Sequence, residues 1–363
     1  MARAIEVAER GRGRVRPNPL VGCVLVKGGS IIAEGWHDHL GGLHAEQMAI
    51  HDAEQNGHSP NGSTAYVTLE PCNHHGRTPP CTESLMWAGV KEVVVAHRDP
   101  NPTVRGEGIQ VLQQAGINVR EGLLDQQASQ QMQSFLHWCD NLRPLVTLKI
   151  AVDCNGDVDE RFGPSERFTS DAALDAVHHL RSEVDAVMVG IGTVLKDNPS
   201  LTIRRVEVGH AGQPLRVVLD RRLRIPRDCN LLNDGGETLM IHCEGVEPDL
   251  PVSCACLASF SDGMASPSAI LRMLGDLGHQ EVLLEGGPTT AKHFLHAGVV
   301  DRAIIIRTDS SFEDGLPLGI SDHDFITADL EPSGVTDWGG DSVHLWSRNG
   351  LSWPTPTWPL PAG

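Results

Sequence analysis

A histidine, a glutamate two residues on, and two cysteines further along form the most chemically pointed pattern in this chain: His44-Ala45-Glu46, then Pro71-Cys72, then Cys81. One imidazole and two thiolates are ligands of the kind zinc takes. Three protein ligands leave a fourth position for water, the mark of a catalytic rather than a structural site. Glu46 stands beside His44 without completing the ligand set. It can take the proton that a zinc-activated water must lose, provided its pKa lies near the working pH. The competing reading is a closed knot with His74 or His75 as fourth ligand, in which Glu46 would have no task. A further alternative is that Cys72 and Cys81 are unrelated buried thiols. Cys23 lies in an apolar run and reads as a core thiol.

The order His-x-Glu, Pro-Cys, Cys is the signature of zinc nucleobase deaminases, where the glutamate carries protons to the ring nitrogen and the departing ammonia. The elements that must hold these residues can be read around them. A helix is expected from near His44 to just before Gly57, which suits a C-cap. TAYVTLEPC (64–72) reads as a strand ended by Pro71, and CTESLMWAGV as a short helix closed by Gly89. VGCVLV (21–26) and SIIAEGW (30–36) read as strands joined by a hairpin at Lys27-Gly28-Gly29. KEVVVAHRD (91–99), a helix through Gln113 and the strand INVREG complete a three-layer α/β pattern.

A helix over 125–140 leads to Asn141-Leu142-Arg143-Pro144, and a domain boundary is placed near 143. Residues 1–142 then form one domain, 143–350 a second, and 351–363 a loose Pro-rich tail. The second half continues the α/β style, with strands over 145–152, 185–192, 215–220, 237–243, 281–287 and 300–307. Helices are expected over 170–182, SPSAILRMLGDLG and TTAKHFLHAG. The halves share no internal repeat. Gly190-x-Gly192 lacks the third glycine of a dinucleotide fingerprint, since position 195 is Leu. EGGPT (285–289) stands between strand and helix, where bare backbone N–H groups and a helix N-terminus favour an anion; the alternative is a plain tight turn.

The formal charge of −18 makes a broad basic face for nucleic acid or anionic membrane unexpected. Hydrophobic residues make up 40%, enough for a core. Nine cysteines at irregular spacing argue against a secreted disulfide scaffold and for a reducing compartment. No apolar run approaches the roughly 18 residues that span a bilayer. The N-terminus lacks the apolar stretch of an export signal, and Ala4, Ile5 and Ala8 mark a short amphipathic helix instead. A cytoplasmic protein is expected, with an organellar one shorn of its transit peptide as the alternative.

The stretch TAYVTLEPCNHHGRTPPC (64–81), together with His44-Ala45-Glu46, RPNPLVGCVLV (16–26) and DPNPTVRGEGIQVLQQAGI (99–117), resembles the deaminase domain of the RibD family of bifunctional riboflavin-biosynthesis enzymes. The gap between the cysteines, with HHGRTPP inside it, is longer than that of cytidine and tRNA-adenosine deaminases. The resemblance implies a three-layer cytidine-deaminase-like domain followed by a dihydrofolate-reductase-like α/β domain. It implies zinc and NADPH as cofactors, 2,5-diamino-6-ribosylamino-4(3H)-pyrimidinone 5′-phosphate as substrate, and a homodimer or homotetramer. His44, Cys72 and Cys81 become the metal ligands and Glu46 the catalytic residue. His74 and Arg77 match positions that meet the substrate phosphate, for which Arg and His on a Gly- and Pro-rich loop are suited, and Asn18 one close to base and ribose.

TLKIAV (147–152), Phe162 to Arg205, and VLLEGGPTTAKHFLHAGVVD (282–301) resemble the family's reductase domain, which reduces ribosyl to ribityl with hydride from NADPH. The resemblance makes Lys149 and Glu285 catalytic candidates. It places Ser165, Arg181, Leu201, Arg204 and Glu285 at the substrate. At the cofactor it places Ala151, Arg167, Thr193, Asp197 and the run Gly287, Pro288, Thr289, Thr290, Ala291, Lys292, His293. The chain also departs from the family. Asp153-Cys154-Asn155-Gly156 replaces Ser-Leu-Asp-Gly, Arg167 replaces a Trp, and Arg221 stands where Ser is usual. RTDSSFEDGLPLG (307–319) lacks the usual Ala-Pro-x-x-Leu-Gly-Gly. Asp153 would set a negative charge near an anionic cofactor. The alternative expectation is therefore a monofunctional deaminase with a weak or inactive reductase domain.

Overall fold

The computed structural model describes residues 1–74, 79–101, 107–163, 167–208, 212–243, 245–257 and 265–353. It divides into two compact units, one over Met1–Asn141 and one beginning at Leu142.

In the first unit the strands are β1 (Gly22–Lys27), β2 (Ser30–Trp36), β3 (Thr64–Leu69), β4 (Glu92–His97) and β5 (Asn118–Glu121). They form one sheet in the order β2-β1-β3-β4-β5. β1 runs antiparallel to both neighbours and β3, β4 and β5 run parallel. Gly28 and Gly29 take positive φ between β1 and β2, as the hairpin requires. Alternate residues of β1 face opposite layers. Cys23 and Leu25 pack against Ala45, Ala49 and Ala53 of the helix Ala45–Gln55, and Val24 packs against Ala4 and Val7 of the helix Ala2–Ala8. The helix expected over 125–140 is broken into Asp125–Gln131 and Gln133–Asn141. At the break the Met132 N–H is shared between Ala128 O (3.3 Å) and Ser129 O (3.2 Å), which tightens the turn.

The second unit contains β6 (Leu145–Val152), β7 (Asp157–Glu160), β8 (Ala186–Gly190), β9 (Leu215–Leu219), β10 (Thr238–Cys243), β11 (Ser253–Leu257), β12 (Glu281–Leu284), β13 (Arg302–Arg307), β14 (Gly315–Pro317), β15 (Leu330–Trp338) and β16 (Asp341–Arg348). Among the described residues, nine of these form a sheet in the order β11-β10-β9-β8-β12-β6-β13-β16-β15. It is parallel from β11 to β13, and β16 and β15 add an antiparallel edge. Met188 faces one core layer while Val187 and Val189 face another, so β8 is covered on both sides. β7 and β14 pair as a separate ribbon.

The strand expected over 185–192 does not stay extended: it stops at Gly190, and Ile191–Asp197 is a helix. The β15–β16 hairpin lay outside the sequence expectation. β15 is exposed along most of its length and shifts register between Pro332 and Gly334, so it shows no alternation to read.

Candidate functional site

His44 is the N-cap of the helix Ala45–Gln55, Cys81 is the first residue of the helix Cys81–Trp87, and Cys72 lies three residues beyond the end of β3. The helix that His44 caps sits close on β2, where a Cβ at Gly35 would lie 2.2 Å from Ala45 O. Gln47 ties the two helix starts together: its Oε1 accepts from His44 N (3.3 Å), and its Nε2 donates to Pro79 O (2.8 Å). His44 Nδ1 thereby stands 3.5 Å from Cys72 Sγ and 3.3 Å from Cys81 Sγ. On a tetrahedral zinc ion with bonds of about 2.0 Å to nitrogen and 2.3 Å to sulfur, the N···S edge is about 3.5 Å. Donor set and spacing both fit zinc. Among the described residues, His44, Cys72 and Cys81 are the group of donors close enough to share one ion. Exposed His74 does not join them, and His75 lies outside the described residues.

Glu46 is buried, and its carboxyl is pushed up to about 7, first by burial and then by the Cys72 thiolate, while His44 pulls the other way. The Cys72 thiol is drawn down to about 4 by the hydrogen bond from Cys81 and by His44, against burial. Asn18 lies next to this group: its Nδ2 meets His37 Nε2 at 3.0 Å, and the His37 ring stands edge-on to His44 with centroids 5.5 Å apart.

The second unit holds a cleft of about 790 Å³. Its floor is where β6, β8 and β12 end: Lys149, Ala151, Gly190 and Glu285 line it with Gly192, Gly286 and Gly287. Glu285 is bracketed by Arg181, which donates at 2.6 and 3.0 Å, and by Lys149 Nζ at 3.1 Å. Burial alone would raise this carboxyl; Arg181 and Lys149 override it and hold it at about 2. The helix Pro288–His296 begins at the cleft behind the two bare glycines. Thr290 packs so closely on Gly190 that a Cβ there would lie 2.3 Å from its Oγ1, whereas a Cβ at Gly192 would meet nothing. Such a bare backbone beside a helix N-terminus fits a dinucleotide pyrophosphate. Arg221, Arg222 and Arg224 also line the cleft and supply positive charge.

Residues 1–97 match the model of the cytidine and deoxycytidylate deaminase zinc-binding region, and residues 144–308 match that of the RibD C-terminal domain. The riboflavin biosynthesis protein RibD of Actinobacillus pleuropneumoniae is 40% identical over 309 residues, covering 83% of this chain and 81% of that one. Its Escherichia coli counterpart is 38% identical over 316 residues, covering 84% and 85%. The chain belongs to the RibD family. A crystal structure from Thermotoga maritima, a diaminohydroxyphosphoribosylaminopyrimidine deaminase/5-amino-6-(5-phosphoribosylamino)uracil reductase, superposes with a TM-score of 0.82 at 36% identity, covering 96% of this chain and 97% of that one. Acinetobacter baumannii RibD does so with a TM-score of 0.85 at 34% identity, covering 95% and 97%. The chain is thus a bifunctional riboflavin-biosynthesis enzyme, with a cytidine-deaminase-like unit and a RibD C-terminal reductase unit. The family model matched by residues 1–97 is that of a zinc-binding region, in keeping with the donor set of His44, Cys72 and Cys81.

The residues that the RibD resemblance singled out are distributed unevenly. Lys149, Ala151, Thr193, Asp197, Glu285, Gly287, Pro288, Thr289, Thr290 and His293 all line the cleft. Ala291 does not: it is buried in the core beneath the helix. Lys292 is absent from the cleft wall, and Gly319 packs near its Nζ. Arg167 pairs with Asp171 on the surface, and the neighbouring Phe168 supplies the aromatic wall, edge-on to Phe312 at 4.9 Å. The Leu201 side chain is part of a core cluster, leaving only its backbone to face a ligand. Arg77 and Ser165 lie outside the described residues.

The charge of Asp153 is taken up by the backbone around it. Its carboxylate accepts from the backbone N–H groups of Asn155 (2.8 Å), Asp157 (2.8 Å) and Phe312 (3.0 Å), and the residue is absent from the cleft wall. The sequence reading missed Phe168, Lys196, Arg222 and Arg224 as wall residues. The run Arg221-Arg222-Leu223-Arg224 was the available signal, a cationic turn directly after a parallel strand.

Proposed function

We propose that this chain deaminates 2,5-diamino-6-ribosylamino-4(3H)-pyrimidinone 5′-phosphate in its first unit and reduces the ribosyl group of the product to ribityl in its second. The observation that carries the reading is the convergence of His44 Nδ1 with the sulfurs of Cys72 and Cys81 beside the buried carboxyl of Glu46. Zinc held by those three residues would supply the Lewis acidity that activates water. Glu46 takes the proton of the attacking water and delivers protons to the ring nitrogen and to the departing ammonia. Asn18 binds near base and ribose, and His74 and Arg77 take the phosphate.

NADPH held in the cleft of the second unit would supply the hydride for the ribosyl carbon. Lys149, next to Glu285, gives a proton to the ring oxygen as the ring opens. Arg204, with Ser165, receives the substrate phosphate. Thr193, Asp197 and Gly287 to Thr290 hold the cofactor, and Phe168 provides its aromatic neighbour. Arg221, Arg222 and Arg224 select its extra phosphate. Asp153 held by backbone N–H groups of its own loop and of Phe312, and Lys149 and Glu285 in the cleft wall, favour a working reductase over an inactive one.

The working domains are 1–142 and 143–350; residues 354–363 of the expected tail lie outside the described residues. Among the described residues no helix is long and apolar enough to cross a membrane. We read the chain as a cytoplasmic homo-oligomer, a dimer or tetramer, with small molecules rather than nucleic acid or membrane as its partners. The test supplies the pyrimidinone phosphate to zinc-loaded enzyme with and without NADPH. Ammonia release should need only the substrate, and NADPH oxidation should follow deamination. Ammonia without NADPH oxidation would reduce the chain to a deaminase, and no ammonia would overturn the reading.

A further inference from the structure

Residues 201–204 carry Arg204 to the surface of the second unit, and each peptide after the first is held by a different side chain. Leu201 turns the chain with a positive φ and anchors it in the core. Arg181 donates to Thr202 O (3.2 Å). Gln213 brackets Ile203, accepting from its N–H (2.6 Å) and donating to its carbonyl (3.0 Å). The last clamp is His178, whose Nδ1 accepts from the N–H of Arg204 at 3.1 Å.

His178 is 1% exposed on the inner face of the helix Asp171–Glu183, and neither proposed reaction uses it. An N–H donor on Nδ1 requires a neutral ring with its proton on Nε2. The surroundings secure that form: burial, then the charges of Arg181 and Arg204, push its pKa down to about 4. The nearby cations differ in what they pair with. Arg181 is committed to Glu285, and Arg205 to Asp171 and Asp175. Arg204 meets no carboxylate within ion-pair distance among the described residues; its Nη1 reaches only Thr202 Oγ1 at 3.4 Å. A cation without a counter-ion, on a segment fixed peptide by peptide, is arranged to receive an anion from outside.

We infer that His178 is a positioning residue of the reductase, which fixes the backbone of Arg204 and thereby aims its guanidinium at the phosphate of the substrate. This rests on the reading of Arg204 as a phosphate ligand. Arg181 joins the two ends of the device, holding Glu285 in the cleft wall with one edge of its fork and the Arg204 segment with the other.

The test uses the zinc-loaded full-length enzyme and follows the NADPH-dependent step on the deaminated phosphate substrate. His178→Asn places its amide oxygen where Nδ1 stood, whereas His178→Gln carries equal polarity but reaches to the Nε2 position. His178→Gln should raise KM about tenfold with a much smaller change in kcat, and His178→Asn should restore most of it. Arg204→Ala should raise KM at least as much, and adding His178→Gln to it should change nothing further. Ammonia release by the first unit reports that each variant is metal-loaded, and a kcat near that of wild type reports that its second unit is folded. Additive effects in the double variant, or equal losses for Asn and Gln, would overturn the inference by showing a merely structural histidine. An unchanged KM in Arg204→Ala would instead overturn the phosphate reading on which it stands.

Discussion

In the first unit three donor atoms converge from residues separated by at most 37 positions in sequence, two of them at helix starts. In the second the cleft wall runs from Lys149 to Leu318 and draws heavily on backbone: Gly190, Gly192, Gly286 and Gly287. The first site is specified by a few side chains of rare chemical type, and the second by where parallel strands end and helices begin. A metal site fails when one ligand goes. A cleft built from many segments loses affinity in steps as its members are removed. The two units should therefore respond to single changes in different ways.

The largest effect is expected where one side chain has no substitute. Cys72→Ala should lose zinc by metal analysis and with it ammonia release, while the enzyme still oxidises NADPH on preformed deaminated substrate. Glu46→Gln should keep the metal yet lose about 10²–10⁴-fold in deamination. Full zinc content in Cys72→Ala would break the ligand assignment. Substantial turnover in Glu46→Gln would show another group moving the protons.

Glu285 is the point at which the second unit comes closest to a single-residue dependence. Its carboxylate is buried with Arg181 and Lys149, so Glu285→Gln leaves two cations without their shared anion and should cost about 3–5 kcal/mol of stability along with reductase activity. The wild-type carboxyl sits at about 2, below the 4.5 it has when free, so as pH falls the unfolded chain takes up this proton first. The stabilisation is therefore whole above about pH 4.5, is lost on the way down to about pH 2, and amounts to about 3 kcal/mol. Denaturant melts of the second unit should steepen across that window in wild type and not in Glu285→Gln. A parallel pH dependence in both would remove the carboxylate from the balance.

The contrast between the units also governs what was legible beforehand. The convergence of His44, Cys72 and Cys81 was legible because ligand chemistry restricts residue type and spacing, and the helices that His44 and Cys81 begin are closed by Gly57 and Gly89. The parallel strands could be read as apolar runs. The boundary inside one such run could not: from Ala186 to Gly192 no polar side chain interrupts the run, and the structure shows the chain turning helical after Gly190. The charge of Asp153 is visible in sequence, while the three N–H groups that satisfy it are not. The β15–β16 hairpin escaped because an exposed edge strand needs no apolar face.

Arg221 tests the intermediate case, a charge that the resemblance does not anticipate but the cleft wall contains. Arg221→Ser should raise KM for NADPH about fivefold and leave that for NADH unchanged, since the two cofactors differ by one phosphate. Equal losses for both would place the arginine at the shared pyrophosphate instead.

The smallest effect is expected at Arg167, which resemblance placed at the cofactor and the structure places beside Asp171 on an exposed helix start. Both partners are well hydrated, so their pairing contributes little, and no cleft residue depends on it. Arg167→Ala should keep KM for NADPH within about twofold of wild type, whereas Phe168→Ala should raise it several-fold by removing an aromatic face from the wall. The reverse ranking would mean that Arg167 swings into the cleft when the cofactor binds. The second unit would then assemble part of its site on binding.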